Sequence, residues 1–166
     1  MTRLSAESFN RLYRQHATRA QGFFLRMMGY DRQLAKDLTQ ELFTRLWEHR
    51  DTYNPEMPFT TWMFCAAYNL CKNMYRHDEV VARWHDEYVR THSETDEQDS
   101  DIIEERMMMV NDAVQRLPRE QRDVMLLRHY EGLSVKETAC VLGIPEGTVK
   151  SRAFTALNEI KKTMAI

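Results

Sequence analysis

The sequence predicts an all-α fold: two small helical domains, residues 1–80 and 106–166, joined by an acidic linker at 81–105. Three observations carry that reading. Glycine and proline are scarce, with five and four copies in 166 residues, while helix formers such as Leu, Met, Ala, Arg and Glu are abundant. Apolar residues recur at three- and four-residue steps along most of the chain. Charge divides it: residues 1–80 carry 11 basic and 9 acidic side chains, 81–105 carry 2 and 9, and 106–166 carry 10 and 7. The net −2 therefore conceals two mildly basic blocks around an acidic one.

A first helix is expected over 5–28, where Phe9, Leu12, Tyr13, His16, Ala20, Phe23, Phe24 and Met27 keep helical spacing and Gly29 ends the run. Asp31 can cap a second helix, DRQLAKDLTQELFTRLWEHR, with Leu34, Leu38, Leu42 and Leu46 as its inward stripe. Its outer face presents Asp37, Gln40, Glu41, Thr44 and Glu48, with Phe43 and Trp47 at the margin. Aromatic anchors beside a polar rim suit protein docking, and equally they suit covering a neighbouring helix. Pro55 and Pro58 break the following loop, DTYNPEMPF, which opens near Tyr53.

The third helix, FTTWMFCAAYNLCKNMYRH, mixes aromatics with Asn69, Lys72, Asn73 and Arg76 on one side. Rings that stack, amides that reach base edges and cations that meet phosphates make a usable single-strand surface. The competing reading is a core-packing helix with a solvated polar face. The stretch HSETDEQDSDIIEE at 92–105 has no Lys or Arg and little apolar content, so it cannot fold alone. It reads as a solvated tether, or as an acidic shield over a basic DNA-binding face.

Residues 132–154, GLSVKETACVLGIPEGTVKSRAF, predict two short helices around a tight turn. Ser134 and Glu137 have capping-box spacing, Gly132 and Gly143 stand where helices stop, and Pro145 suits the start of the next helix. This is a helix-turn-helix, whose second helix enters the DNA major groove. On that helix Val149, Ala153, Ala156, Leu157 and Ile160 form an inward stripe. Lys150, Ser151, Phe154, Thr155, Asn158 and Lys161 face outward, mostly types that bond phosphates or base edges.

Several function classes are excluded. No apolar run approaches the ~20 residues that span a bilayer, and no secretory segment opens the chain, so a cytoplasmic protein without membrane insertion is expected. Cys65, Cys71 and Cys140 form no C-x-x-C pair and read as reduced thiols in a core. The six histidines lack metal-ligand spacing. There is no nucleophile–base pairing, phosphate-binding glycine loop or clustered carboxylate site, so neither catalysis nor a cofactor is expected.

Three stretches together, DLTQELFTRLW at 37–47, FTTWMFCAAYNLCKN at 59–73 and LPREQRDVMLLRHYEGLSVKETACVLGIPEGTVKSRAF at 117–154, resemble the extracytoplasmic-function sigma factors of bacterial RNA polymerase. They stand in the family's order and span nearly the whole chain apart from the linker. The resemblance implies sigma region 2 at 1–80 and sigma region 4 at 106–166. It implies a promoter-specificity subunit whose partners are core RNA polymerase, promoter DNA and an anti-sigma factor. By the same resemblance Asp37, Gln40, Glu41, Thr44 and Trp47 grip the clamp helices of the largest polymerase subunit. Trp62, Asn69, Lys72, Asn73 and Arg76, with Tyr53 in the loop, melt and read the minus-10 element. Thr148, Lys150, Ser151, Arg152, Phe154 and Thr155 face the minus-35 element. One departure stands out: the family often carries Arg or Lys in the turn after the phenylalanine, where this chain has Thr155, Ala156 and Asn158. Fewer phosphate contacts imply weaker, less salt-sensitive binding by this domain alone. The alternative is a helix-turn-helix regulator that does not associate with core polymerase.

Overall fold

The computed structural model describes residues 4–75 and 102–164, and the chain is helical in both stretches, with no strand among the described residues. Helix α1 (Ala6–Met27) starts at Ser5, whose side chain accepts from the Ser8 amide. It ends where Gly29 and Tyr30 both turn left-handed, at φ 66° and 68°. Helix α2 (Arg32–Glu48) is capped by Asp31, whose carboxylate accepts from the Leu34 amide at 3.0 Å. A 3₁₀ turn (Arg50–Thr52) and the proline loop lead to α3 (Phe59–Tyr75). The expected interface residue Arg76 and linker residues 81–101 lie outside the described residues.

Helix α4 (Ile102–Gln115) begins four residues before the boundary expected at 106. Helix α5 (Arg119–Met125) continues into a π-helical turn (Leu126–Tyr130) closed by Gly132 at φ 69°. Helices α6 (Val135–Leu142) and α7 (Glu146–Met164) form the helix-turn-helix. Ser134 Oγ accepts from the Glu137 amide at 3.0 Å, and Gly143 stops α6 in the left-handed region at φ 68° while its amide bonds Ala139. Val124, Ala139 and Val149 bury a small core of their own, one residue from each of α5, α6 and α7.

In α1 and α2 most of each predicted stripe is buried, at Phe9, Ala20, Phe23, Phe24, Met27, Leu38, Leu42 and Leu46; Leu12, His16 and Leu34 are half-buried, and Tyr13 is exposed. The ambiguity at Phe43 and Trp47 resolves unequally. Phe43 is 4% exposed and meets Phe9 and Tyr13 edge-on, so it covers α1; Trp47 also meets Phe9 edge-on at 5.1 Å yet stays half-buried, with the Arg50 guanidinium 3.9 Å from its ring centroid. Two expectations fail in detail. Leu157, placed on the inward stripe, is 39% exposed, because the stripe closes around Val149, Ala156 and Ile160. Of the cysteines only Cys71 lies in the core; Cys65 is half-buried and Cys140 exposed, because α6 turns that side outward.

The largest difference from two separate modules is that both halves share one hydrophobic core, which runs from Phe9 and Phe64 to Leu126 and Ile160. Polar groups are buried at the junction. Tyr68 and Tyr75 on α3 both donate to the Asp123 carboxylate, at 2.8 and 3.4 Å. Glu131 accepts from Arg19 Nε at 3.0 Å and lies 3.7 Å from Arg26 Nη1. Gln115 donates to the Arg26 carbonyl at 2.9 Å. The π-helical turn displaces the chain so that Glu131, 7% exposed, faces α1.

Candidate nucleic-acid and polymerase interfaces

The outward face of α7 is built by elimination. Once Val149, Ala156 and Ile160 are buried, a 3.6-residue period leaves Lys150, Ser151, Phe154, Thr155 and Lys161 exposed. Phe154 is 67% exposed, an apolar ring in the middle of polar neighbours. The Ser151 and Thr155 hydroxyls donate to helix carbonyls at 3.1 and 2.9 Å, leaving their oxygen lone pairs outward as acceptors. Thr148 is half-buried at the helix start. Arg152 sits apart from this group, at the margin of the core, with its guanidinium 3.7 Å from Glu120 of α5.

On α3, Asn69, Lys72 and Asn73 share an exposed side, and the Lys72 ammonium lies 5.6 Å over the Tyr68 ring. Trp62, two to three turns earlier, is half-buried and packs with Tyr53 at 5.0 Å and Phe59 at 5.8 Å. The Tyr53 hydroxyl donates to the Met57 carbonyl at 3.2 Å, which fixes the ring against the proline loop. Trp62, Asn69 and Asn73 thus stand at helical spacing on one side of α3, the ring near its start and the amides two to three turns further along.

The outer face of α2 exposes Asp37, Gln40, Glu41 and Thr44. Asp37 accepts from Gln33 at 3.0 Å, and Glu41 pairs with Arg45 at 2.6 Å, both along the helix and open to solvent. Gln40, Thr44 and Trp47 border a groove of about 580 Å³ whose other wall is Phe9, Asn10 and Tyr13 of α1. Those α1 residues were not among the sequence candidates. The signal was Tyr13, on the apolar stripe yet 43% exposed. Also missed were Tyr68, Asp123, Arg19 and Glu131, which join the halves.

A helix-turn-helix with an outward aromatic, joined to a helical bundle with an aromatic and amide face, defines a helical DNA-binding protein with a second interaction surface. Comparison places it further. The chain matches the family models "Sigma-70 region 2" over residues 12–79 and "Sigma-70, region 4" over residues 107–160. It is 30% identical over 159 residues to RNA polymerase sigma factor CarQ of Myxococcus xanthus, covering 95% of this chain and 90% of that one. It is 31% identical over 157 residues to the ECF RNA polymerase sigma factor SigL of Mycobacterium tuberculosis, covering 92% and 86%. The sigma factor RpoE of Bartonella quintana, solved in complex with the anti-sigma factor NepR, shares the fold at TM-score 0.73 and 18% identity, over 97% of this chain and 99% of that one. The chain belongs to the extracytoplasmic-function group of RNA polymerase sigma factors. Its function is that of a sigma factor, an initiation factor that directs core polymerase to promoters; a stand-alone helix-turn-helix regulator is not favoured. No helix among the described residues is long and apolar enough to cross a membrane.

Proposed function

We propose that the exposed face of α7 reads the minus-35 element through Lys150, Ser151, Phe154 and Thr155, flanked by Thr148 and Arg152. The observation that carries this is Phe154, 67% exposed on the second helix of a helix-turn-helix. A solvated phenylalanine among hydrogen-bonding residues is explained by apolar contact with a base, such as a thymine methyl. Trp62, Asn69, Lys72, Asn73 and Arg76, with Tyr53, capture the minus-10 non-template strand. The exposed side of α2, with Asp37, Gln40, Glu41, Thr44 and Trp47, docks on the polymerase clamp helices. The protein acts in the cytoplasm and contributes binding energy rather than catalysis.

Scale adds a requirement. The two promoter elements are centred about 25 base pairs, hence about 85 Å, apart on a duplex rising 3.4 Å per pair. A compact chain of this length has a radius of gyration of about 15 Å. Reading both elements at once requires the halves to separate at the junction of α3 with α5 and α6. We take the closed arrangement as the form away from the promoter, and an anti-sigma partner would act by holding it closed.

The test is transcription in vitro with core polymerase and genomic DNA fragments. Defined start sites that depend on this chain, together with copurification with core polymerase, support the reading. Tight binding to duplex operator alone, without polymerase, would replace it with a repressor or activator.

A further inference from the structure

Helix α6 of region 4 packs on α3 of region 2, and each of the two helices carries a cysteine, Cys140 and Cys65. Thr61 on α3 and Ser134, Lys136, Glu137 and Cys140 on α6 line a cavity of about 400 Å³, closed on the third side by the proline loop. Cys65 stands one helical turn beyond Thr61 on the same side of α3. Cys65 and Cys140 stand near enough across this contact to act on each other electrostatically, although 75 positions separate them in the sequence. Cys140 is exposed, Cys65 is half-buried, and the third thiol, Cys71, is fully buried.

We propose that Cys65 and Cys140 form a reversible disulfide that locks region 4 onto region 2 and holds the sigma factor closed. The lock rests on the reading above only in its consequence for promoter use. Its chemistry is exchange with a low-molecular-weight disulfide. Cys140, open to solvent, gives up its proton and attacks one sulfur of that disulfide; a mixed disulfide forms with that sulfur, and the other half departs and takes up a proton as a thiol. Cys65 then attacks the Cys140 sulfur, its proton passing to the second departing thiol. Two electrons move from the protein pair to the small disulfide, which is reduced to two thiols. The order follows from the environments: burial, reinforced by Cys140, pushes the Cys65 thiol up to about 12, so its thiolate is scarce. The bond brings the sulfurs to about 2.05 Å and needs helices already in contact, as α3 and α6 are. An intracellular disulfide between thiols of unequal exposure is of the labile, regulatory kind.

The experiment incubates the full-length protein with oxidised glutathione, followed by peptide mapping under non-reducing conditions, hydrogen exchange and transcription with core polymerase. A Cys65–Cys140 peptide is expected, lighter by two hydrogens than the separate thiols, with slowed amide exchange in α6. If nine-tenths of the protein is locked, transcription falls roughly tenfold and returns with dithiothreitol. Cys71→Ser should behave as wild type, whereas Cys140→Ser, a change at an exposed position, should form no bond and keep its activity under oxidant. Cys140 found only as a glutathione adduct or joined to a second chain would overturn the proposal. So would a Cys65–Cys140 bond that leaves exchange and transcription unchanged. Reduced protein without promoter activity would count against the promoter reading alone, since peptide mapping and exchange judge the lock independently.

Discussion

The Tyr68 hydroxyl on α3 donates a 2.8 Å hydrogen bond to the carboxylate of Asp123 on α5, joining side chains 55 positions apart across the junction of the two halves. Asp123 is 2% exposed, Tyr75 donates to its other oxygen at 3.4 Å, and the Arg119 guanidinium lies 4.2 Å from the Tyr75 ring centroid. A buried carboxylate is tolerated only with such partners, so this cluster specifies one docking register for the halves.

Tyr68→Phe deletes one donor and leaves the carboxylate buried. The expected loss is about 1–3 kcal/mol of folding stability. Asp123→Ala should be at least as damaging, since it strands Arg122, whose Nε is already buried without a partner. Urea denaturation measures both. A Tyr68→Phe protein as stable as wild type would show that the hydroxyl contributes nothing to closure.

Acidity acts on the same junction. Burial pushes the Asp123 carboxyl above the ordinary 3.8, although Arg122, Tyr68, Arg119 and Tyr75 all act downward. Burial likewise raises Glu131 above 4.5, against the pull of Arg19 and Arg26. For an acid with a raised folded-state value, the stabilising contribution is complete below the unfolded value and is lost as pH rises through the folded one. Denaturation midpoints should therefore decline as pH climbs from roughly 4.5 towards neutrality. Asp123→Asn should flatten that slope, leaving the share due to Glu131. A wild-type midpoint that rises over the same range would contradict these assignments.

What the sequence revealed depends on the range of the interaction. Caps and stops are local chemistry: Asp31, Ser134 and Gly143 act within a few residues, and the structure places them at helix ends. The leucine stripe of α2 and the exposed group around Phe154 follow from helical periodicity alone. Asp123 was illegible because RLPREQRDVML reads as an ordinary charged turn, and its burial is set by tyrosines from another helix. Glu131 was hidden for a second reason: the π-helical turn before it shifts the register that a regular helix would keep. Arg152 fell among the minus-35 candidates through its neighbours, yet geometry puts it beside Glu120.

The minus-35 proposal makes a graded prediction. Lys150→Ala should weaken binding to all sequences and lower its salt dependence, as expected for a phosphate contact. Phe154→Ala should instead relax base preference, by roughly 1–3 kcal/mol of discrimination. Binding to a randomised minus-35 library, selected with each variant, separates the two. Unchanged preference in Phe154→Ala would remove the ring from base contact.

Polymerase docking is separable from DNA reading. Asp37 and Gln40 are exposed on α2 and outside its buried stripe, so replacing both by Ala should leave the circular dichroism spectrum intact. Copurification with core polymerase should weaken by about tenfold, equivalent to 1.4 kcal/mol. Undiminished copurification would move the interface elsewhere, with the α1 side of the groove, at Asn10 and Tyr13, the next candidate.

Promoter melting distinguishes a sigma factor from an ordinary repressor, and permanganate footprinting measures it directly. Tyr53 packs at 5.0 Å from Trp62, while Asn73 is exposed about 16 Å further along α3, so ring and amide would engage successive nucleotides of the unstacked minus-10 strand. Removing a stacking aromatic forfeits about 1–3 kcal/mol per base, enough to deplete the open complex several-fold or more. Core polymerase with the wild-type chain should render minus-10 thymines reactive on duplex promoter. Tyr53→Ala with Asn73→Ala should retain polymerase binding, lose that reactivity, and recover activity on a template opened beforehand at minus-10. Normal reactivity with the double variant on closed duplex would contradict the assignment of this surface to melting.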